Sequence, residues 1–263
     1  MLRKFGWALA AAASIAAFGS ATAADLPVKA RPVVVPVYNW TGCYIGLSAG
    51  GKGVGLDETV HTSAAAPFAA AALDLGRREA ETWVAGGQVG CNYQAGNWVF
   101  GVEADGHAQR WSQFDILAGP IPAPFAVGDT YELHSDWQAS ARGRIGYAMN
   151  RTLFYGTAGA AFTEVRARTN WAPILVNQSK TLVGVTVGAG VEHAVTDNFT
   201  LGLEGRYSWY QREQFDLGLV PVGVIVGGPV VFAPGYRDVK LETGEILFKA
   251  NWKFGPTAVV ARY

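Results

Sequence analysis

Charged residues recur at even spacings inside segments that alternate polar with apolar side chains. Glu103 and Asp105 form one such group, Arg142 and Arg144 another, Glu204 and Arg206 a third, and Glu245, Lys249 and Lys253 a fourth; Glu192 stands in a fifth segment. Even spacing puts side chains on one face of a β-strand. Five acids and five bases meeting in one enclosed space would neutralise each other, because an isolated buried charge costs several kcal/mol. The predicted chemistry is therefore a salt-bridged plug. A conducting pore would call for a wider ring and an excess of one sign, and a narrow channel is the alternative reading.

Other reactive groupings are sparse. His134, Ser135 and Asp136 are adjacent, but neighbours on a strand point to opposite faces, so adjacency does not make a nucleophile–base relay. Lipid modification by a membrane enzyme is the second alternative, and no spacing motif supports it. His61 and His107 lie too far apart in sequence to suggest a metal site, and no phosphate-binding loop occurs. No cofactor is expected. A formal net charge of zero gives no reason to expect nucleic-acid binding.

The elements that would position these charges follow from the rhythm of the chain. Alternating segments are joined first by a long stretch, then by a tiny turn, then by a long stretch again. An antiparallel barrel crossing a membrane, with short turns on one rim and long loops on the other, has this rhythm. Half of the residues are hydrophobic, yet no central run reaches the roughly 18 residues of a membrane helix. We expect an all-β, eight-stranded antiparallel transmembrane β-barrel with short periplasmic turns and long extracellular loops, located in the outer membrane of a bacterium. A soluble barrel with its apolar face inward is the competing architecture.

The amino terminus fits export. Arg3 and Lys4 precede an apolar run over 5–18, and Ala21-Thr22-Ala23 offers a small-residue cleavage site, so residues 1–23 read as a signal peptide. Residues 24–40, with Pro27, Pro32 and Pro36, read as an extended periplasmic lead-in. The barrel is expected over 41–254, and 255–263 as a periplasmic extension.

The first strand, about 42–51, has Cys43, Ile45, Leu47 and Ala49 on one face and Tyr44, Gly46, Ser48 and Gly50 on the other. The second, about 82–94, sets Trp83, Ala85, Val89, Cys91 and Tyr93 against Gln88, Gly90, Asn92 and Gln94. The third starts at Trp98 and sets Phe100, Val102 and Ala104 against Glu103, Asp105, His107 and Gln109. The fourth, about 136–148, sets Trp137, Ala139, Ala141, Ile145 and Tyr147 against Asp136, Gln138, Ser140, Arg142 and Arg144. The fifth, about 153–164, has less distinct faces. The sixth alternates Val183, Val185, Val187, Ala189 and Val191 with Thr186 and Glu192. The seventh alternates Phe199, Leu201, Leu203, Tyr207 and Trp209 with Thr200, Glu204, Arg206 and Ser208. The eighth alternates Ile246, Phe248, Ala250, Trp252 and Phe254 with Glu245, Lys249, Asn251 and Lys253.

Aromatic rings gather at the segment ends. Trp98, Tyr147, Tyr155, Phe199, Trp252 and Phe254 flank the short turns, and Trp83, Trp137, Tyr207 and Trp209 lie toward the long loops. Two belts of amphipathic rings match the two interfaces of a bilayer and favour the membrane barrel over the soluble one. Loop 52–80 contains an Ala-rich stretch suited to a short helix, 110–134 is expected to be irregular, and 165–180 is shorter. Loop 211–240 reads as a hairpin extension around Gly227-Gly228. Its apolar content suggests contact with lipopolysaccharide or an extracellular partner, or strands that continue above the bilayer and pack on their neighbours.

Several motifs resemble one known family. Val37 through Gly42 followed by Tyr44-Ile45-Gly46, Asn97 through Asp105, Arg142 through Tyr147, Gly188 through Glu192, and Asn251 through Phe254 are similar to the small outer-membrane surface antigens of alphaproteobacteria. These are porin-like, OmpA-type barrels often called outer-membrane immunogenic proteins, and Ala24-Asp25-Leu26-Pro27 resembles their mature start. The resemblance implies an eight-stranded, surface-exposed barrel with no catalytic residues. It also implies that Phe254 resembles the terminal aromatic read by the barrel-assembly machinery; a simple belt aromatic is the alternative. Relatives tend to carry aromatics where Cys43 and Cys91 stand. Both cysteines fall on the lipid-facing side of adjacent strands, near the periplasmic rim, and their numbers are symmetric about the middle of the first loop. In an oxidising compartment this predicts a cross-strand disulfide, with two apolar thiols as the alternative.

Overall fold

The computed structural model of the protein describes residues 38–63, 65, 71–116, 130–171, 174–224 and 228–255. The expected signal peptide, most of the lead-in and the extension beyond Gly255 lie outside them. The described chain is all strand and turn: β1 (Gly42–Thr62), β2 (Ala71–Ala95), β3 (Trp98–Ile116), β4 (Thr130–Met149), β5 (Thr152–Trp171), β6 (Ile174–Ala194), β7 (Phe199–Tyr210), β8 (Glu213–Val224) and β9 (Val230–Phe254). Paired strands run antiparallel throughout, and β1 closes on β9, with Cys43 opposite Phe254 and Leu47 opposite Ala250.

Eight staves make the ring, because β7 and β8 share one. β7 pairs with the lower half of β9 and β8 with its upper half, with Gln211 and Arg212 between them. The hairpin expected around Gly227-Gly228 is this upper pair, with Val224 opposite Val230. Between β8 and the upper part of β6 no ladder is present among the described residues. Instead Lys180 donates to the Gln214 carbonyl (2.6 Å) and the Asp216 N–H donates to the Gln178 side chain (3.0 Å). A lysine at such a margin discourages pairing with foreign strands.

Short turns define one rim. Gly96 takes a positive φ of 61° between β2 and β3, a conformation that costs glycine nothing. Asn150 does the same (φ 54°) between β4 and β5, where asparagine is the tolerated substitute. In the third turn the Thr196 hydroxyl accepts from the Phe199 N–H at 3.0 Å.

The strands run far past the bounds expected from sequence. β1 has 21 residues, about 70 Å of chain at about 3.3 Å each, whereas a tilted membrane strand needs about 9–11 residues. Much of each region expected as loop is strand: 52–62, 71–80, 110–116, 130–134 and 165–171 all belong to ladders. Ala71 and Ala72 of the Ala-rich stretch are in β2 rather than a helix; residues 64 and 66–70 lie outside the described residues. The reason is a change of polarity, not an end of alternation. Up to Gly51 the outward residues of β1 are largely apolar and the inward ones largely polar. Beyond it Val54 and Leu56 are buried inside and Asp57 points out. The same inversion occurs on β9, where Ile246 and Phe248 face out but Leu241 and Val239 face in.

Two assignments change with the register. Tyr155 shares parity with Leu153 and Thr157 and is buried inside, not placed in an aromatic belt. Asp136 leaves the inner face because the β4–β5 ladder shifts between His134 and Gln138. It meets Arg166 on the outer surface at 2.9 Å.

Candidate functional site

The interior is stratified along the barrel axis. At the short-turn rim, Tyr38 and Trp40 close the mouth with their rings edge to face at 4.9 Å. The Trp40 indole donates to the Asn150 carbonyl (3.3 Å) and its backbone N–H to the Gln94 side chain (2.7 Å), so one residue braces two turns. Lys253 is buried here, with its ammonium 4.3 Å from the centre of the Tyr38 ring and bonded to the Asn39 carbonyl. Sequence reasoning groups Lys253 with the ion pairs; the structure sets it below them, against a ring and a carbonyl.

The next layer joins Arg144 to Glu192. Glu192 also accepts from Thr200 (2.5 Å) and Asn251 (3.0 Å), and the Arg144 guanidinium lies 3.7 Å from the centre of the Tyr155 ring. Above it Glu103 accepts from Tyr44 (2.6 Å), Arg142 (2.5 Å) and Lys249 (2.7 Å). Glu204 accepts from Lys249 (3.0 Å), Tyr155 (2.9 Å) and Arg142. Asp105 accepts from Arg142 and Arg206, each at 3.0 Å, and from Ser140. Arg206 then grips Glu245, and Lys52 approaches the same carboxylate at 3.4 Å.

Nine of the ten charges named from sequence thus lie in one chain of contacts, and Lys52 completes it in place of Lys253. Sequence reasoning misses Lys52 because it stands in an expected loop; its parity with Ser48 is the available signal. Pairing at this density answers the physical requirement that buried ions be neutralised, while the buried Nε atoms of Arg142 and Arg144 have no hydrogen-bond partner among the described residues.

One triplet has distances that suit acyl transfer. Ser48 Oγ lies 2.7 Å from His107 Nε2, and His107 Nδ1 lies 3.0 Å from Asp105 Oδ1. The Nδ1 approach lacks hydrogen-bond alignment, and Ser48 Oγ is also bonded to Gln88 at 2.7 Å. All three side chains are buried among the ion pairs. The base is not oriented by its carboxylate, which a relay requires. The adjacent trio does no better. Ser135 bonds Gln109 and Thr163, His134 lies 4.0 Å from Glu132, and Asp136 is outside.

Above the charges lies a neutral polar belt, in which Gln109 bonds Ser135 and Thr163, and beyond it the filling turns apolar. Val54, Leu56, Leu133, Val165, Leu182, Phe215, Leu217, Val239 and Leu241 form one buried cluster inside the ring. Glu58 and Arg237 pair beyond it. On the outer wall Ile45, Leu47, Val89, Val102, Phe248 and Trp252 are exposed. Trp98 and Tyr147 pack edge to face near the short turns, while Trp83, Trp137 and Trp209 mark the far belt. Cys43 and Cys91 lie directly opposite on that wall and are joined by a disulfide. Phe254 ends β9 with its ring outward.

The sequence pattern described as "Outer membrane protein beta-barrel domain" matches residues 9–254. The 22 kDa outer membrane protein of Rhizobium leguminosarum bv. viciae is 36% identical over 197 residues, covering 74% of this chain and 73% of that protein. The 25 kDa outer-membrane immunogenic protein of Brucella canis is 30% identical over 191 residues, covering 73% of this chain and 75% of that protein. Among solved structures, Ail, the attachment invasion locus protein of Yersinia pestis, aligns over 81% of this chain and 99% of its own, at 12% identity and a TM-score of 0.40.

Proposed function

This chain belongs to the outer membrane protein beta-barrel domain family, and from that premise we propose that it is a structural, surface-exposed barrel closed by its own side chains and without catalytic activity. The observation that carries the reading is the order of the filling. A dense ion-pair layer gives way, across a belt of neutral polar side chains that includes Gln109, Gln138 and Thr163, to an apolar cluster, so an ion crossing the barrel would have to break the first and then enter the last. An eight-stranded barrel has an interior about wide enough for side chains alone. The relatives that match along most of their length carry names of outer-membrane and immunogenic proteins, which supports a surface role.

Planar-bilayer recording of the refolded, full-length protein tests the closed interior. We expect no unitary current steps above the bare bilayer. Steady ohmic steps that persist after repurification would replace this reading with a narrow porin-like channel. Release of fatty acid from lipid A by the same preparation would instead favour the lipid-modifying alternative.

The outward apolar wall suits outer-membrane lipid, and the mixed charges beyond the far aromatic belt face the lipopolysaccharide head groups or an extracellular partner. Phe254 is the proposed contact for the barrel-assembly machinery, since it is the last residue of the closing strand and its ring points outward. Phe254→Ala should lower the assembled fraction in cells, read by heat-modifiable gel mobility, while leaving refolding into detergent near normal. A belt aromatic alone would instead lose the same ground in both assays.

A further inference from the structure

We propose that the Cys43–Cys91 disulfide is installed on the exported chain before it enters the membrane, by exchange with a periplasmic dithiol oxidase, and that it serves assembly by fixing the register of β1 against β2. Both cysteines point outward, on the same faces as Ile45 and Val89. They border a groove of about 560 Å³ on the outer wall, whose other lining includes Val89, Val102, Ala104, Ala141 and Gly143. In the inserted barrel this groove faces lipid at the inner edge of the short-turn aromatic belt, since Cys43 pairs with Phe254.

Thiol–disulfide exchange needs a thiolate and access to the partner disulfide. Lipid and the belt rings on this wall restrict both, so the bond is made while the chain is still in the oxidising aqueous compartment. One cysteine thiolate attacks the donor's disulfide, giving a mixed disulfide and a donor thiolate. The second cysteine thiolate attacks the mixed disulfide at this chain's sulfur and releases the donor. The Cys43–Cys91 bond forms, the donor's disulfide becomes a dithiol, and the donor carries away the two electrons. The two thiol protons are given up to solvent and regained by the reduced donor.

The benefit follows from topology. At the short-turn rim, β2 and β3, β4 and β5, and β6 and β7 are joined by turns that set their registers. β1 and β2 meet at this rim without a turn, and their sequence connection lies at the opposite end. A slip of one residue would exchange inner and outer faces, sending Tyr44 and Ser48 into lipid. The disulfide links residues 48 apart in sequence at the rim where no turn does so. Its position also bears on closure, since Cys43 is paired on its other side with Phe254 of β9.

The experiment uses the full chain in cells. When the assembly machinery is depleted, uninserted chain should resist maleimide–polyethylene glycol until a reductant is added. Free thiols in that pool, with the bond present only in inserted barrels, would overturn the proposal. In isolated outer membranes a charged phosphine should leave the bond intact, yet cleave it after unfolding in denaturant; ready cleavage in the membrane would show that lipid does not shield it and would overturn the proposed order of events. Pulse–chase then reads the role in assembly. Cys43→Ala with Cys91→Ala should slow the appearance of the heat-modifiable form by at least about fivefold, because the cross-link restricts the unfolded ensemble. Cys43→Val with Cys91→Val, which restores apolar volume but no bond, should be slowed alike. Assembly of the valine pair at the wild-type rate would show that packing, not register, was at stake.

Discussion

Arg142→Met should destabilise the barrel by about 3–5 kcal/mol, the cost of breaking a buried ion pair from one side. Arg142 is buried and its guanidinium serves Glu103, Asp105 and Glu204 together. Methionine fills much of the volume, so the loss is electrostatic rather than a cavity. Lys249 would remain as the cation shared by Glu103 and Glu204, and Arg206 as the partner of Asp105. The count would then be one negative charge in excess, in a place that water does not reach. Adding Glu204→Gln to the variant removes that excess and should recover more than half of the loss. Such recovery is the signature of coupling rather than of independent damage. Guanidinium unfolding of the protein in lipid vesicles measures both. Equal stability of Arg142→Met and the wild type would mean that the charged layer is not what holds the interior.

Leu47→Arg should cost about 2–4 kcal/mol, although Leu47 is 72% exposed. On a soluble protein an exposed leucine replaced by arginine changes stability by no more than about 0.5 kcal/mol. Leu47 lies midway along the apolar run of β1, between Cys43 and Gly51, so in the membrane its surroundings are hydrocarbon. Thr59 stands further along the same strand, beyond the inversion at Gly51, and Thr59→Arg should lie within about 0.5 kcal/mol of wild type. The contrast reads the height of the hydrocarbon boundary on one strand. It is measured as the difference in unfolding free energy in vesicles, and it should shrink in urea-containing detergent where the bilayer is absent. Equal costs at both positions would contradict a boundary between them.

That boundary reconciles two features of the fold. Within the bilayer, lipid is the apolar partner and charged side chains fill the axis. Beyond it, water surrounds the strands, and Leu56, Leu133, Leu182, Phe215 and Leu241 turn inward to make the kind of core a water-soluble barrel has. One ring thus satisfies two solvents. The outer half also explains why the upper β6–β8 margin can do without a ladder. In water, unlike lipid, a backbone group left unpaired by the sheet can be hydrated or bonded by a side chain such as Lys180 or Gln178.

Most of the barrel within the bilayer is legible in the sequence. Parity along a strand is local, set by the pleat, so the sides taken by Glu103, Arg142, Arg206 and Lys249 can be read from alternation alone. Turn residues such as Gly96 and Asn150 mark where pairs begin, and Cys43 and Cys91 can be placed opposite each other by counting from both ends of one connection. Tyr155 escapes this reading because its nearness to a turn suggests a belt, while its parity with Leu153 puts it inside.

What alternation cannot carry is the medium on each side of the strand. The outer parts of β1 and β9 read as loops because their apolar residues change faces, and that change is imposed by where the bilayer ends. Pairing across the interior is likewise a property of closure. Lys249 meets Glu103 across 146 residues of sequence, and Lys52 rather than Lys253 reaches Glu245. Which residues share a side, and how successive strands connect, follows from the linear chain. Which charges touch follows from the closed ring, because contact depends on the height of each residue along neighbouring staves, and that height is fixed by the register of the whole sheet.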